Sequence, residues 1–141
     1  MRKIAVVYWS GTGNTEAMAN AVAAGAKAAG AEVTLCTAAE LSADLLDAFD
    51  AVAFGCPAMG AEVLEEEEFE PMFSACKAKL SGKKIALFGS YGWGDGEWMR
   101  TWEQSCTEDG AVFAAESVIC NDAPGEEALA SCRALGAALC A

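Results

Sequence analysis

The apolar run Ile4-Ala5-Val6-Val7 turns directly into Tyr8-Trp9-Ser10-Gly11-Thr12-Gly13-Asn14-Thr15, which opens an Ala-rich segment from Glu16 to Ala29. A strand that passes through glycines and hydroxyls into a helix leaves free backbone N–H groups at the positive end of the helix dipole. That is a ready-made anion site. The side chains on offer are Ser10, Thr12, Asn14 and Thr15, with no Lys or Arg among them. Neutral donors alone would grip the anion, which suits one terminal phosphate. A Walker-type loop needs a Gly-Lys-Ser/Thr ending for the outer phosphates and magnesium, and that Lys is missing. The dinucleotide fingerprint needs a third glycine where Glu16 stands. The competing reading is a Gly/Ser turn that only links strand to helix.

Alternating apolar runs and amphipathic segments continue along the chain. Strands are predicted at Lys3–Trp9, Ala31–Thr37, Ala51–Cys56, Lys84–Ser90 and Ala111–Cys120. Helices are predicted at Asn14–Ala29, around Phe69, Met72, Phe73 and Cys76, at Glu97–Glu108, and at Pro124–Cys140. A short helical or irregular link covers Leu41–Leu46. Five strands alternating with helices in 141 residues predict one domain over residues 1–141: an α/β three-layer sandwich around a parallel sheet. Such sheets bind ligands beyond the carboxyl ends of their strands, where the winding reverses. Three unusual loops fall at those ends: Ser10–Thr15, Pro57–Glu62 and Ser90–Gly96.

Composition narrows the function. The seven cysteines include no Cys-x-x-Cys, and the chain has no histidine, so zinc and iron–sulfur sites fail on ligand spacing. Free, mostly buried thiols in a reducing compartment are the better account. The apolar run after Arg2 and Lys3 is too short for a secretory or membrane segment, which predicts a cytoplasmic protein. A net charge of −12 argues against nucleic acid or an anionic membrane as partner. Between Ile4 and Cys76 twelve acids face one base, Lys27, and Ile85–Met99 has no base at all. A generally acidic surface would also account for part of this.

The third loop reads Gly89-Ser90-Tyr91-Gly92-Trp93-Gly94-Asp95-Gly96. Its glycines let backbone amides approach a flat ligand, and Trp93 offers a ring to stack on it. The alternative places Trp93 in the core or in a lid. In the second loop Met59 is a soft apolar cover and Glu62 a possible acceptor for a ring N–H. Trp9 and Tyr91 read equally as ligand neighbours or as packing residues.

Taken together, Tyr8 to Thr15, Gly55-Cys56-Pro57-Ala58-Met59-Gly60 and Leu87-Phe88-Gly89-Ser90-Tyr91-Gly92-Trp93-Gly94 resemble a short-chain flavodoxin of the type found in anaerobic bacteria. The likeness covers essentially the whole chain, with three motifs agreeing in order and spacing. It implies strand order 2-1-3-4-5 with non-covalent FMN at the switch between strands 1 and 3. Carried over, Ser10, Thr12, Asn14 and Thr15, with the Gly11 and Gly13 amides, would hold the phosphate. Met59 and Trp93 would cover opposite faces of the isoalloxazine, and Glu62 would accept from flavin N3. Ser90, Gly92 and Gly94 would supply backbone contacts, with Trp9, Pro57, Ala58 and Tyr91 close by. The peptide Gly60–Ala61 would turn over on one-electron reduction and offer its carbonyl to N5.

The resemblance also implies a carrier and not an enzyme: a cytoplasmic monomer shuttling low-potential electrons between neutral semiquinone and anionic hydroquinone. Its partners would be redox proteins with basic patches, with neither nucleic acid nor membrane involved. Two other readings compete. An FMN-dependent quinone or NAD(P)H reductase needs extra loops, for which 141 residues leave little room. A phosphoacceptor domain needs acids where Trp9 and Ser10 stand.

Overall fold

The computed structural model describes residues 1–60 and 62–141. β1 (Lys3–Tyr8) leads into α1 (Asn14–Ala28), then β2 (Glu32–Thr37), β3 (Ala51–Gly55), α2 (Phe69–Cys76), β4 (Lys84–Tyr91) and α3 (Glu97–Glu108). Two short strands, β5 (Val112–Phe113) and β6 (Val118–Asn121), precede α4 (Glu126–Ala138). The sheet is parallel throughout in the order β2-β1-β3-β4-β5, with β6 also pairing with β4. The predicted strand order therefore holds.

The central strands earn their place by composition. Ile4 to Val7 on β1 and Ala51 to Phe54 on β3 have no exposed surface, as strands covered on both faces require. The two layers differ in character. On one face, α2 and α3 bring Phe69, Phe73, Trp98 and Trp102 against Phe54 of β3. Phe54 and Phe73 meet edge to face with centroids 5.1 Å apart, and Phe69 meets Trp102 the same way at 5.5 Å. On the other face, α1 and α4 pack mainly small residues (Ala19, Ala23, Ala26) around Met18, Phe88, Leu135 and Leu139.

The fifth strand departs from the expected Ala111–Cys120. Ile85 pairs with Phe113 and Phe88 with Val118, so three steps along β4 are matched by five on the neighbouring strand. Two residues bulge out, dividing the strand into β5 and β6. Within the bulged stretch Ser117 Oγ donates to Glu103 Oε2 of α3 at 2.7 Å. The remaining boundaries agree with expectation to within two residues, and the link after β2 forms two 3₁₀ turns, Ala38–Glu40 and Ala43–Ala48.

Candidate functional site

Sheet hydrogen bonding continues past the strand ends and stitches the loops together. Trp9 N–H donates to Gly55 O (3.0 Å), Cys56 N–H to Phe88 O (3.1 Å) and Ala58 N–H to Ser90 O (3.0 Å). Asp122 N–H donates to Tyr91 O (2.8 Å), while Ser90 Oγ donates to Asp122 O at 2.6 Å. The loops after β1, β3, β4 and β6 therefore share one crevice. It encloses about 240 Å³, lined by Trp9, Ser10, Gly11, Thr12, Asn14 and Thr15 from the first loop. Pro57, Ala58 and Met59 come from the second, Ser90, Tyr91 and Gly92 from the third, and Asp122 from the fourth.

The first loop is shaped by a glycine and a serine. Gly13, at φ 96°, makes the left-handed step into α1 that only glycine takes without strain. Ser10 Oγ accepts from the amides of Gly13 (3.1 Å) and Glu16 (3.2 Å). With its lone pairs engaged, the hydroxyl proton is left free to be donated. Thr15 is 1% exposed, and among the described residues its Oγ1 has no hydrogen-bond partner. A buried orphan hydroxyl is costly, and one in the first turn of a helix fits a phosphate that supplies the missing acceptor.

Trp9 is both a wall of the crevice and a packing residue. It lines the crevice, its indole lies over Gly11, and its Nε1 donates to Glu68 Oε1 at 3.0 Å. A Cβ at Gly11 would sit 3.0 Å from the Trp9 ring. Tyr91 likewise lines the crevice and packs on Trp98, with ring centroids 5.5 Å apart.

Among the described residues, Gly13, Gly60, Glu62, Trp93 and Gly94 are not part of the crevice wall. Gly13 borders a neighbouring cleft with Tyr8 and Glu16, and Trp93 is 60% exposed. Glu62 stands at φ 52°, its carboxylate against Gly94, where a Cβ would come within 2.4 Å of Oε1. Gly94 is itself left-handed at φ 83°. Burial, then the nearby Glu97 and Asp95 carboxylates, push the Glu62 carboxyl above the ordinary range. Gly60 has nothing within 4 Å of an added Cβ, and Ala61 lies outside the described residues.

Two residues were missed in the sequence. Asp122, left-handed at φ 57°, contributes the one charged side chain among the described residues of the crevice wall. Its position beyond a strand's carboxyl end was the available signal. Arg100 reaches back to Asp95 Oδ1 (2.9 Å) and to its carbonyl (3.1 Å), so the third loop has a base after all. That guanidinium holds the Asp95 carboxyl below its usual range.

The run Glu65–Glu68 starts α2 by a specific device. The Glu65 carboxylate, 5% exposed, accepts from the amides of Glu67 (2.9 Å), Glu68 (2.7 Å) and Phe69 (2.8 Å). Burial alone would raise its pKa, but the three amides outweigh burial and hold it low. A carboxyl depressed by folding stabilises above its unfolded pKa, and the contribution is lost as pH falls through the folded value. Glu65→Gln should therefore lower stability at neutral pH and flatten its decline below about pH 4. Urea midpoints across that range check this; a parallel decline in both proteins would remove Glu65 from the acid response.

A doubly wound parallel sheet with a base-free anion loop at its switch point and aromatic residues around the adjoining crevice defines a flavin-nucleotide-binding α/β protein. Residues 6–136 match the flavodoxin family model. A flavodoxin of Megasphaera elsdenii is 46% identical over 135 residues, covering 96% of each chain. One from Clostridium beijerinckii is 48% identical over 121 residues, 86% of this chain and 88% of that one. The solution structure of two-electron reduced Megasphaera elsdenii flavodoxin superposes with a TM-score of 0.89 at 47% identity, covering 98% of this chain and 99% of that one. The chain belongs to the flavodoxin family. It is an FMN-carrying electron-transfer protein, a carrier and not an enzyme. No helix among the described residues is long and apolar enough to cross a membrane.

Proposed function

We propose that residues 1–141 form one domain that carries electrons singly at low potential, between the neutral semiquinone and anionic hydroquinone of non-covalent FMN. The observation that carries this reading is the buried Thr15 hydroxyl, without a hydrogen-bond partner among the described residues, in a loop that contains no base. Ser10, Thr12, Asn14 and Thr15 hold the phosphate together with the Gly11 and Gly13 amides. Ser90, Gly92 and Gly94 lie along the ribityl and pyrimidine parts, bordered by Trp9, Pro57, Ala58 and Tyr91. Met59 and Trp93 cover the two ring faces, and Glu62 accepts from the ring N–H. The carbonyl of the Gly60–Ala61 peptide would accept a hydrogen bond from a ring N–H once the first electron has been taken up.

The protein's own charges make the second electron costly. Asp122 stands in the crevice wall, and the net charge is −12. Added negative charge in a partly desolvated site is disfavoured, which separates the two one-electron steps. The same acidic face suits basic patches on soluble redox partners, met by a cytoplasmic monomer. Stepwise anaerobic reduction followed by absorption tests the reading. Long-wavelength absorbance at half reduction supports single-electron transfer, and direct bleaching counts against it.

Two substitutions bear on the ring site. Trp93→Ala should weaken FMN binding about tenfold to a hundredfold, as expected for roughly 1.5–3 kcal/mol from one buried aromatic side chain. Fluorescence titration measures it, and unchanged affinity would mean that the indole does not cover the ring. Gly60→Val meets no neighbour in the present conformation, so its effect should be confined to the turned one. Less long-wavelength absorbance at half reduction, with oxidised FMN bound as before, is the expected result; an unchanged yield would remove Gly60 from that role.

A further inference from the structure

We infer that Cys56 and Glu65 form a neck that fixes both ends of the loop between them, and that Glu65 is thereby a positioning residue for electron transfer. The inference rests on the reading that this loop lies against the flavin. At the entry, every polar group of Cys56 is held. Its N–H donates to Phe88 O (3.1 Å), its carbonyl accepts from Trp98 Nε1 (3.2 Å), and its thiol points to Pro57 O (3.6 Å). At the exit, Glu65 is equally occupied. Its carboxylate takes three amides of the α2 start, and its carbonyl accepts from Glu70 N–H at 2.8 Å.

The two ends touch. Glu65 N–H donates to Cys56 Sγ at 3.4 Å, and both residues are buried. Burial pushes the thiol up to about 12, so Sγ stays a neutral acceptor at this contact. Inside the neck the described residues are joined by backbone bonds. Ala58 N–H reaches Ser90 O (3.0 Å), Met59 N–H reaches Val63 O (2.9 Å), and Glu62 N–H reaches Met59 O (2.7 Å).

A loop whose two ends are fixed at its base can change one peptide between them without shifting those ends. The ordering is done in advance by the neck, so the one-electron-reduced protein does not bear the cost of fixing the whole segment. A buried carboxylate that accepts three amides also stiffens the exit more than a neutral cap would. Without it, the α2 start frays and the loop gains conformations that must be lost again on reduction.

The test compares wild type with Glu65→Ala, Glu65→Gln, Cys56→Ala and Cys56→Ser. Amide hydrogen exchange of residues 58–63 is measured with and without FMN, and the one-electron equilibrium constants come from redox titration. Expected are loop exchange accelerated beyond any loss of global stability read from β1, β3 and β4, and about a tenfold fall in the constant for the first electron in Glu65→Ala, the scale of one or two lost hydrogen bonds. Glu65→Gln and Cys56→Ser should recover part of both effects. A merely structural role would lower the melting temperature and leave the first-electron constant where it was, and that result overturns the inference. So does unchanged loop exchange in Glu65→Ala, which can be read without any flavin. Failure of the wild-type chain to bind FMN would appear before any variant is compared; it would overturn the functional reading and the positioning role that rests on it.

Discussion

Replacing Ser10 with aspartate is expected to strip the protein of FMN while leaving the fold in place. Ser10 Oγ already accepts from the Gly13 and Glu16 amides. A carboxylate there would take the same amides more strongly and would itself occupy the anion site. It would also stand against the phosphate, where two like charges about 4 Å apart cost roughly 4 kcal/mol at an effective dielectric of ~20. Affinity should fall by about three orders of magnitude or more. The affected amides open α1, where negative charge is favourable, so the flavin-free variant should melt no lower than the flavin-free wild type. Equilibrium dialysis and melting of the flavin-free proteins measure the two effects. Retention of FMN within tenfold of wild type would mean that this loop does not hold the phosphate.

The loop was legible because its chemistry is local. Gly11 and Gly13, the hydroxyls and the helix that follows all lie within one stretch of chain, and the parallel order of the strands follows from their uniform hydrophobicity. What stayed hidden depends on partners far apart in sequence. Nothing in Ala114-Ala115-Glu116-Ser117 marks a break, with no glycine or proline, and the bond from Ser117 to Glu103 on α3 joins residues fourteen apart in sequence. Asp122 joins the site because its backbone is tied to Ser90 and Tyr91, thirty-odd residues earlier. The base-free character of the third loop was likewise a property of the segment and not of the space around it, since Arg100 folds back onto Asp95. Glu65 among four consecutive glutamates could be read as favourable for a helix start. That one of them is buried and caps α2 follows only once Cys56 is beneath it.

The largest stability effect is expected on the far side of the sheet, where α1 and α4 meet backbone to backbone. A Cβ built on Gly136 would lie 2.0 Å from Val22 O and 2.8 Å from Ala26 N; one on Gly25 would lie 2.0 Å from Arg133 O. Neither position offers a flexible side chain that could move aside. Glycine inside a helix costs about 1 kcal/mol relative to alanine, so two at one crossing are explained by the contact they permit. Gly136→Leu must push the helices apart along their whole interface, against Met18, Val22, Leu135 and Leu139. The cost should be on the order of 3 kcal/mol or more, a fall of about 10 °C in Tm for a chain of this size. Ala137→Leu, one residue along but on the exposed face, should change stability by less than about 0.5 kcal/mol. Because α1 carries Gly13 and Thr15 at its start, displacing it should also weaken FMN binding. Saturating FMN should then recover part of the lost Tm, since a ligand that binds only the folded state raises its stability. Thermal melts of both variants with and without FMN decide the matter: if Gly136→Leu melts like wild type, α1 and α4 do not touch through Gly136.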